Sequence, residues 1–99
     1  MGKSRWQEHE EPTEQDIKDE ILRLLLSLRP GESICPTEAA RAFGPRWRQQ
    51  MPTVSEVVVD MVRDELIEVS LNGEVIDVEE RDLAQVKGPL RLRLLRQAI

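Results

Sequence analysis

Hydrophobic residues recur at helical spacing in the first third of the chain. After a polar stretch that ends at Pro12, Thr13 has the side chain of a helix N-cap and Asp16 stands at the third helical position. Pro30 and Gly31 cannot continue a helix, so the pattern predicts a first helix over 13–29. Its apolar positions fall on one stripe that faces a core, and they are Ile17, Ile21, Leu24, Leu25 and Leu28.

A second, shorter helix is predicted from Pro36 to Phe43. Proline suits the first position of a helix, and Glu38 stands at the third position. The residue before a proline favours extended backbone, so 33–35 is predicted to be a short extended piece. Gly44-Pro45 ends the helix, which buries Ala39, Ala40 and Phe43.

A third helix is predicted over 53–66. Thr53 and Glu56 have the spacing of a capping box, and apolar residues from Val54 to Val62 follow positions i, i+3, i+4, i+7 and i+8. The β-branched valines also allow a strand. Because the helical period extends over a dozen residues, we favour the helix.

From Ile67 onward the hydrophobic period changes from helical spacing to two. This alternation predicts a strand over 67–71, and Asn72-Gly73 is the preferred pair for a type I′ hairpin turn into a second strand over 74–78. In that hairpin Val69 faces Ile76 and Ile67 faces Val78. A last strand over 90–95 alternates leucine with arginine. Alternatively, 67–71 pairs mainly with this last strand and 72–89 forms one long wing.

The order of these elements predicts an α+β fold of the winged helix-turn-helix type, with three helices followed by a small antiparallel sheet. We expect a single domain over 13–96, preceded by a disordered polar tail over 1–12. The linker between the second and third helices is longer than the tightest helix-turn-helix turn. The predicted core consists of Ile21, Leu25, Leu28, Ala40, Phe43, Val58, Met61, Val62, Ile67, Val69 and Leu92.

Charge argues against a strong nucleic-acid binder. The 99 residues carry a net charge of −5, of which residues 1–20 hold −4, so the rest of the chain is close to neutral. Strong binders of nucleic acid usually show a clear basic excess. With only three aromatic residues, the chain also lacks the stacking surface of single-strand binders.

The sequence contains few residues of the types that enzymes use for catalysis. There is one histidine, His9, in the predicted tail, and one cysteine, Cys35, so we expect no enzyme, no metal site and no cofactor. Cys35 is either a small buried apolar residue or a reactive thiol at a helix start. A single cysteine fits a reducing cytoplasm, and no apolar run is long enough to cross a membrane.

Arginines form the one constellation that suggests a function. Arg41, Arg46 and Arg48 surround the turn between the second and third helices, while Arg91, Arg93 and Arg96 lie on the solvent face of the last strand. In a winged helix both regions can contact a phosphate backbone. Alternatively, the strand arginines pair across the sheet with acidic residues, and Trp47 with its flanking arginines covers the core. The acidic partners in that arrangement are Glu68 and Asp77.

The third helix is poorly equipped to read bases. Its outward positions carry more acid than base, and Glu56 and Asp60 would meet phosphates in a major groove. Two classes of partner therefore fit: double-stranded DNA held weakly through its phosphates, and a protein, for which an exposed Val59 is suitable. The predicted outward positions are Ser55, Glu56, Val59, Asp60, Arg63 and Asp64.

Several short segments together resemble a small bacterial family known only as a domain of unknown function. The resemblance covers roughly residues 17–95, and the family is similar in layout to winged-helix regulators. It therefore implies the same fold, but it implies no activity and no catalytic residues. The segments are Ile34-Cys35-Pro36-Thr37-Glu38-Ala39-Ala40-Arg41, Trp47-Arg48, Met51-Pro52 and Lys87-Gly88-Pro89-Leu90-Arg91-Leu92.

Overall fold

Three helices precede a small antiparallel sheet in the computed structural model, which describes residues 12–29, 31–83, 86 and 88–95. This α+β arrangement is consistent with a winged-helix-like topology. The predicted tail over 1–12 lies outside the described residues except for Pro12, which is buried. The elements are α1 (Glu14–Leu26), α2 (Pro36–Arg41), the 3-10 helix η1 (Trp47–Gln50), α3 (Met51–Arg63), β1 (Ile67–Leu71), β2 (Glu74–Val75) and β3 (Leu90–Leu94).

The first two helices begin where the sequence predicts. The Thr13 hydroxyl accepts from the Asp16 amide at 3.1 Å, and the Asp16 carboxylate accepts from the Thr13 amide at 2.8 Å. α2 begins at Pro36, and the Glu38 carboxylate accepts from the Cys35 amide at 3.0 Å. α1 ends at Leu26, before the predicted limit, because the next amides bond three residues back instead of four.

The predicted start of the third helix is wrong by two residues. α3 begins at Met51, because the chain enters it directly from η1 and Pro52 fits the first turn. Thr53 therefore lies inside the helix, and the predicted capping box does not form. α3 ends at Arg63, and two residues later Glu65 adopts a left-handed conformation with φ of 62°. The Leu66 amide then donates to the Met61 carbonyl, and the two bonds of a Schellman motif close the helix.

The central strand of the sheet is β1, in the order β2-β1-β3. β1 pairs with β3 over its whole length, from Ile67 opposite Leu94 to Leu71 opposite Leu90. This is the second of the two predicted pairings, with a long wing, which we define as residues 72–89. Ile34, which lies outside the named strands, forms an antiparallel bridge with Leu92 at the edge of β3 that faces away from β1. The extended piece before α2 thus joins the sheet.

The predicted 74–78 strand is shorter than expected. Asn72 and Gly73 both have positive φ, as a type I′ turn requires, but β2 contains only Glu74 and Val75. The Ile76 amide still donates to the Val69 carbonyl at 2.9 Å. Beyond it the Asp77 carboxylate accepts from the Glu79 amide at 2.8 Å. This local turn replaces the sheet bonds, so the predicted pairing of Ile67 with Val78 is wrong.

The hydrophobic core lies between the three helices and one face of the sheet. Among the predicted core residues, Leu28 and Val62 are only partly buried, and the others are buried. The wing contributes Val78 and Leu83, which fixes its described part against the helices. Ile34 is buried as well, and no pattern predicted it. The helical patterns placed four further residues on core-facing stripes or buried faces, and all are buried: Ile17, Ala39, Val54 and Val57.

Candidate functional site

The turn between α2 and α3 is built around Trp47, which begins η1. Its indole is half-buried and packs against the core, and two guanidinium groups lie over its ring. The Cζ atom of Arg41 is 5.1 Å from the ring centroid, and that of Arg48 is 4.4 Å away. Cation–π contacts of this kind hold an arginine without consuming its hydrogen-bond donors. Trp47 therefore covers the core, as one of the two interpretations predicted, while Arg41 and Arg48 stay exposed.

Arg41, Arg46 and Arg48, which we call the arginine cluster, are all exposed. Residues 39–55 contain these three arginines and no acidic residue. This stretch therefore carries +3, and since the whole chain carries −5, the remaining residues carry −8. No described carboxylate forms a salt bridge with the cluster. A compact cationic surface thus lies on an otherwise acidic molecule.

Of the predicted strand arginines, Arg91 and Arg93 form contacts within the domain, and Arg96 lies outside the described residues. The guanidinium of Arg91 donates from Nε to the Ser33 hydroxyl at 2.9 Å and from Nη2 to the Ser33 carbonyl at 2.8 Å. Arg93 forms a salt bridge with Glu68, which lies directly opposite in the register. Pairing of a strand arginine with Asp77 does not occur, because β3 pairs with β1 and Asp77 belongs to the wing.

The outward face of α3 is acidic, as predicted. Glu56, Asp60 and Asp64 are exposed there. Val59, however, is half-buried and packs against the core, so the prediction that it is exposed is wrong. Ser55 is half-buried as well. The exposed surface of α3 is therefore more polar than the sequence pattern predicts.

An ion pair ties the wing to the end of α3. Arg63 donates from Nε to Glu79 Oε2 at 2.5 Å and from Nη2 to Glu79 Oε1 at 2.9 Å. Asp60 lies 3.7 Å from the same guanidinium. The hydrogen bonds from Arg63 hold the pKa of the Glu79 carboxyl below its ordinary value, and they raise the pKa of Arg63. The positive charge of Arg63 is thus already paired with the carboxylates of Glu79 and Asp60.

A cavity of about 500 Å³ opens between the helices and the wing. One side is formed by the start of α2 and the first two turns of α3, and the other by the described residues between Leu83 and Leu90. Apolar side chains form most of the lining, and Arg48 of the arginine cluster is one of the lining residues. Arg41 and Arg46 do not line it.

Cys35 is half-buried and lines this cavity. Its thiol lies 3.1 Å from the Thr37 hydroxyl, and its backbone is the N-cap of α2. The prediction of a buried apolar residue is therefore only partly right. His9, the other residue considered for chemistry, lies outside the described residues.

Neither a metal cluster nor a membrane span is found in the part of the chain that the structure describes. Within it, no three residues among His, Cys, Asp and Glu are grouped so that they could hold a metal ion. The described helices are all too short or too polar to cross a bilayer.

Comparison with known protein families assigns the chain to one of them. A family model with the description "Protein of unknown function (DUF3253)" matches residues 14–95. The chain belongs to this family. A search of curated proteins finds no match.

The four segments named for the family resemblance in the sequence analysis meet around the cavity. Cys35, Pro36 and Thr37 come from the first segment, and residues from each of the other three also line it. Sequence reasoning missed the cavity, because it depends on how the wing lies against α2 and α3. It also missed Ser33 and Glu79 as partners of arginines. Their only sequence signals were a polar residue beside a predicted extended piece and an acidic residue in a variable stretch.

Proposed function

We propose that this domain is a non-enzymatic binding module that contacts the phosphates of double-stranded DNA, weakly and without sequence preference. The observation that carries the proposal is the arginine cluster, a surface of three exposed cations without an acidic residue from 39 to 55. Guanidinium groups match phosphate geometry with their fork of donors. Contacts to phosphate hold a protein on DNA without reading its bases.

The contacts with Trp47 favour this use of the cluster. A long exposed arginine loses side-chain entropy when it is fixed on a partner. Arg41 and Arg48 are already held over the indole ring, and among the described residues no carboxylate competes for them. Less entropy is therefore lost when they bind an anion. Arg46 adds a third charge beside them.

Low specificity follows from the face of α3. Glu56 and Asp60 are exposed where a recognition helix would meet DNA, and the Arg63 charge is satisfied by Glu79. Acidic groups near phosphates repel them, and two acids are poor readers of a major groove. The overall charge of −5 weakens the binding further. We therefore expect weak binding that depends strongly on salt.

The strand arginines contribute less in this proposal. A phosphate would have to compete with the Ser33 oxygens for Arg91 and with Glu68 for Arg93. Charge at the last strand is therefore partly neutralised before any ligand arrives. We keep both residues as predicted contacts of secondary importance.

A protein partner is the second candidate, and the charge distribution favours it. The cationic cluster and the acidic face of α3 are adjacent in sequence, so the surface presents both signs of charge. Complementary charge of this kind guides the association of proteins. Arginine and tryptophan are also common among the residues that contribute most to protein interfaces.

Fluorescence anisotropy with a labelled random-sequence duplex tests the proposal. At about 50 mM salt we expect measurable binding, and Arg46→Ala with Arg48→Ala should weaken it for every sequence to a similar extent. Arg29→Ala is the matched control, because it removes an exposed arginine outside the cluster. Absence of binding by the unchanged protein, or an equal loss in the control, would favour the protein partner instead.

A further inference from the structure

We propose that the cavity between α2, α3 and the wing binds a small apolar molecule that carries a single carboxylate. The carboxylate would pair with Arg48, and the apolar body would fill the cavity. This inference goes beyond the proposed contact with DNA, and it does not depend on it.

The cavity has the size and lining of a ligand site. Its volume of about 500 Å³ lies within the range of roughly 300–1,000 Å³ that is typical of pockets for small molecules. Val58 and Leu83, at its walls, are also members of the buried core, so these walls are fixed by packing. Burial of an apolar ligand against such walls is favourable without any specific polar contact.

The charge of the lining selects the ligand. Arg48 is the one charged residue among the described residues that line the cavity, so none of these residues is acidic. A neutral apolar ligand would leave this cation unused, and a cationic one would be repelled. One carboxylate satisfies Arg48 through charge-assisted hydrogen bonds. Thr37 and Ser55 add hydroxyl groups, each of which can donate one hydrogen bond and accept two.

Arg48 is held ready for this contact. Its guanidinium lies 4.4 Å from the centroid of the Trp47 ring, and no described carboxylate forms a salt bridge with it. Arg46 is two residues away, is also exposed, and does not line the cavity. Substitutions of Arg46 and of Arg48 can therefore be compared to distinguish ligand binding in the cavity from DNA binding.

The single cysteine supplies a direct readout. Cys35 lines the cavity and is half-buried, so a bound ligand should shield its thiol. The probe is decanoate, kept below the concentration at which it forms micelles, with decanol as its neutral counterpart. The measured quantity is the rate at which N-ethylmaleimide, an uncharged reagent, modifies the protein. We expect decanoate to slow this reaction several-fold at saturation, and decanol to bind more weakly.

Two pairs of variants test the geometry. Arg48→Gln should weaken decanoate binding about tenfold, the loss expected when one charge-assisted contact is removed, while Arg46→Gln should leave it unchanged. Ser55→Phe places a ring in the cavity and should abolish protection, whereas Gln49→Phe adds the same ring at an exposed position outside it. Thermal unfolding of each variant verifies that it is folded. Arg48→Gln keeps the test valid if Ser55→Phe fails to fold.

Three results would overturn the proposal. One is unchanged labelling of Cys35 with decanoate up to about 1 mM, which would mean binding too weak to matter. Another is equal loss of decanoate binding in Arg46→Gln and Arg48→Gln. The third is labelling that slows as the protein concentration rises without ligand, because a second copy of the chain would then cover the cavity. Failure of the DNA proposal is separate, since Arg46→Gln should weaken DNA binding alone.

Discussion

Burial changes steeply between neighbouring residues of α1. Leu25 is 3% exposed and belongs to the core, whereas Leu26 is 66% exposed. The two side chains are identical and one position apart, so they differ only in where the helix points them. Leu25 lies on the apolar stripe of α1 and Leu26 does not, so we expect only Leu25 to contribute strongly to stability.

Leu25→Ala should reduce the free energy of unfolding by roughly 2–5 kcal/mol, because it removes buried methyl groups and leaves a cavity. Leu26→Ala is the matched control and should change it by less than about 0.5 kcal/mol. Chemical denaturation of the two variants measures the difference. Similar losses in both would mean that the helix faces the core through another stripe.

The Glu79 carboxylate should make stability depend on pH. Its pKa is lowered, chiefly by the hydrogen bonds from Arg63, so its contribution is present above the ordinary carboxyl pKa. That contribution is lost as the pH falls through the lowered value. The melting temperature of the unchanged protein should therefore exceed that of Glu79→Gln at about pH 7, and the gap should narrow towards about pH 3. Glu80→Gln is the matched control, because Glu80 is exposed and forms no ion pair with a described residue, and it should lower the melting temperature less at about pH 7.

At the scale of elements, the end of α3 contains a strained residue. Glu65 has φ of 62° at the position of the Schellman motif where glycine is usual, and a side chain in this region costs roughly 1–2 kcal/mol. Glu65→Gly should therefore stabilise the protein by about 0.5–1 kcal/mol, despite the freedom that glycine adds to the unfolded chain. Asp64→Gly, at φ of −83°, should destabilise it. Thermal unfolding that ranks the two variants in reverse would contradict this account of the helix end.

Local chemistry made much of the fold predictable. The N-cap at Thr13 and the Asn72-Gly73 turn depend on residues close in sequence, and both formed as expected. The start of α3 was missed, because η1 runs into it and no sequence signal separates the two helices. The length of β2 was missed as well, since the turn at Asp77 competes with the sheet for the same backbone groups.

The candidate site was less predictable, because it depends on contacts between distant segments. The pairing of Arg93 with Glu68 could be anticipated from residues that face the same side of the sheet. The contact of Arg91 with Ser33 could not, because it requires Ile34 to join the sheet beside β3. The cavity required the packing of the wing on two helices, and no periodicity in the sequence encodes that.

At the scale of the whole molecule, the acidic face of α3 opposes the arginine cluster. Glu56→Gln with Asp60→Asn removes two negative charges without removing a core contact, since both residues are exposed. We expect tighter binding to duplex DNA at low salt, because repulsion of the phosphates is relieved. Anisotropy titrations at matched salt measure the change. Abolished binding, or the loss of a sequence preference, would mean that α3 reads bases.

The central claim is that the arginine cluster contacts phosphates, and the salt dependence of DNA binding tests it most directly. Each phosphate contact releases counterions and contributes about 0.9 to the slope of log K against log salt. The three contacts of the arginine cluster should contribute about −2.7 to the slope of the unchanged protein, and Arg46→Ala with Arg48→Ala should reduce that contribution to about −0.9. The Arg29→Ala control should keep the full slope. A slope that is the same in all three proteins would contradict the account.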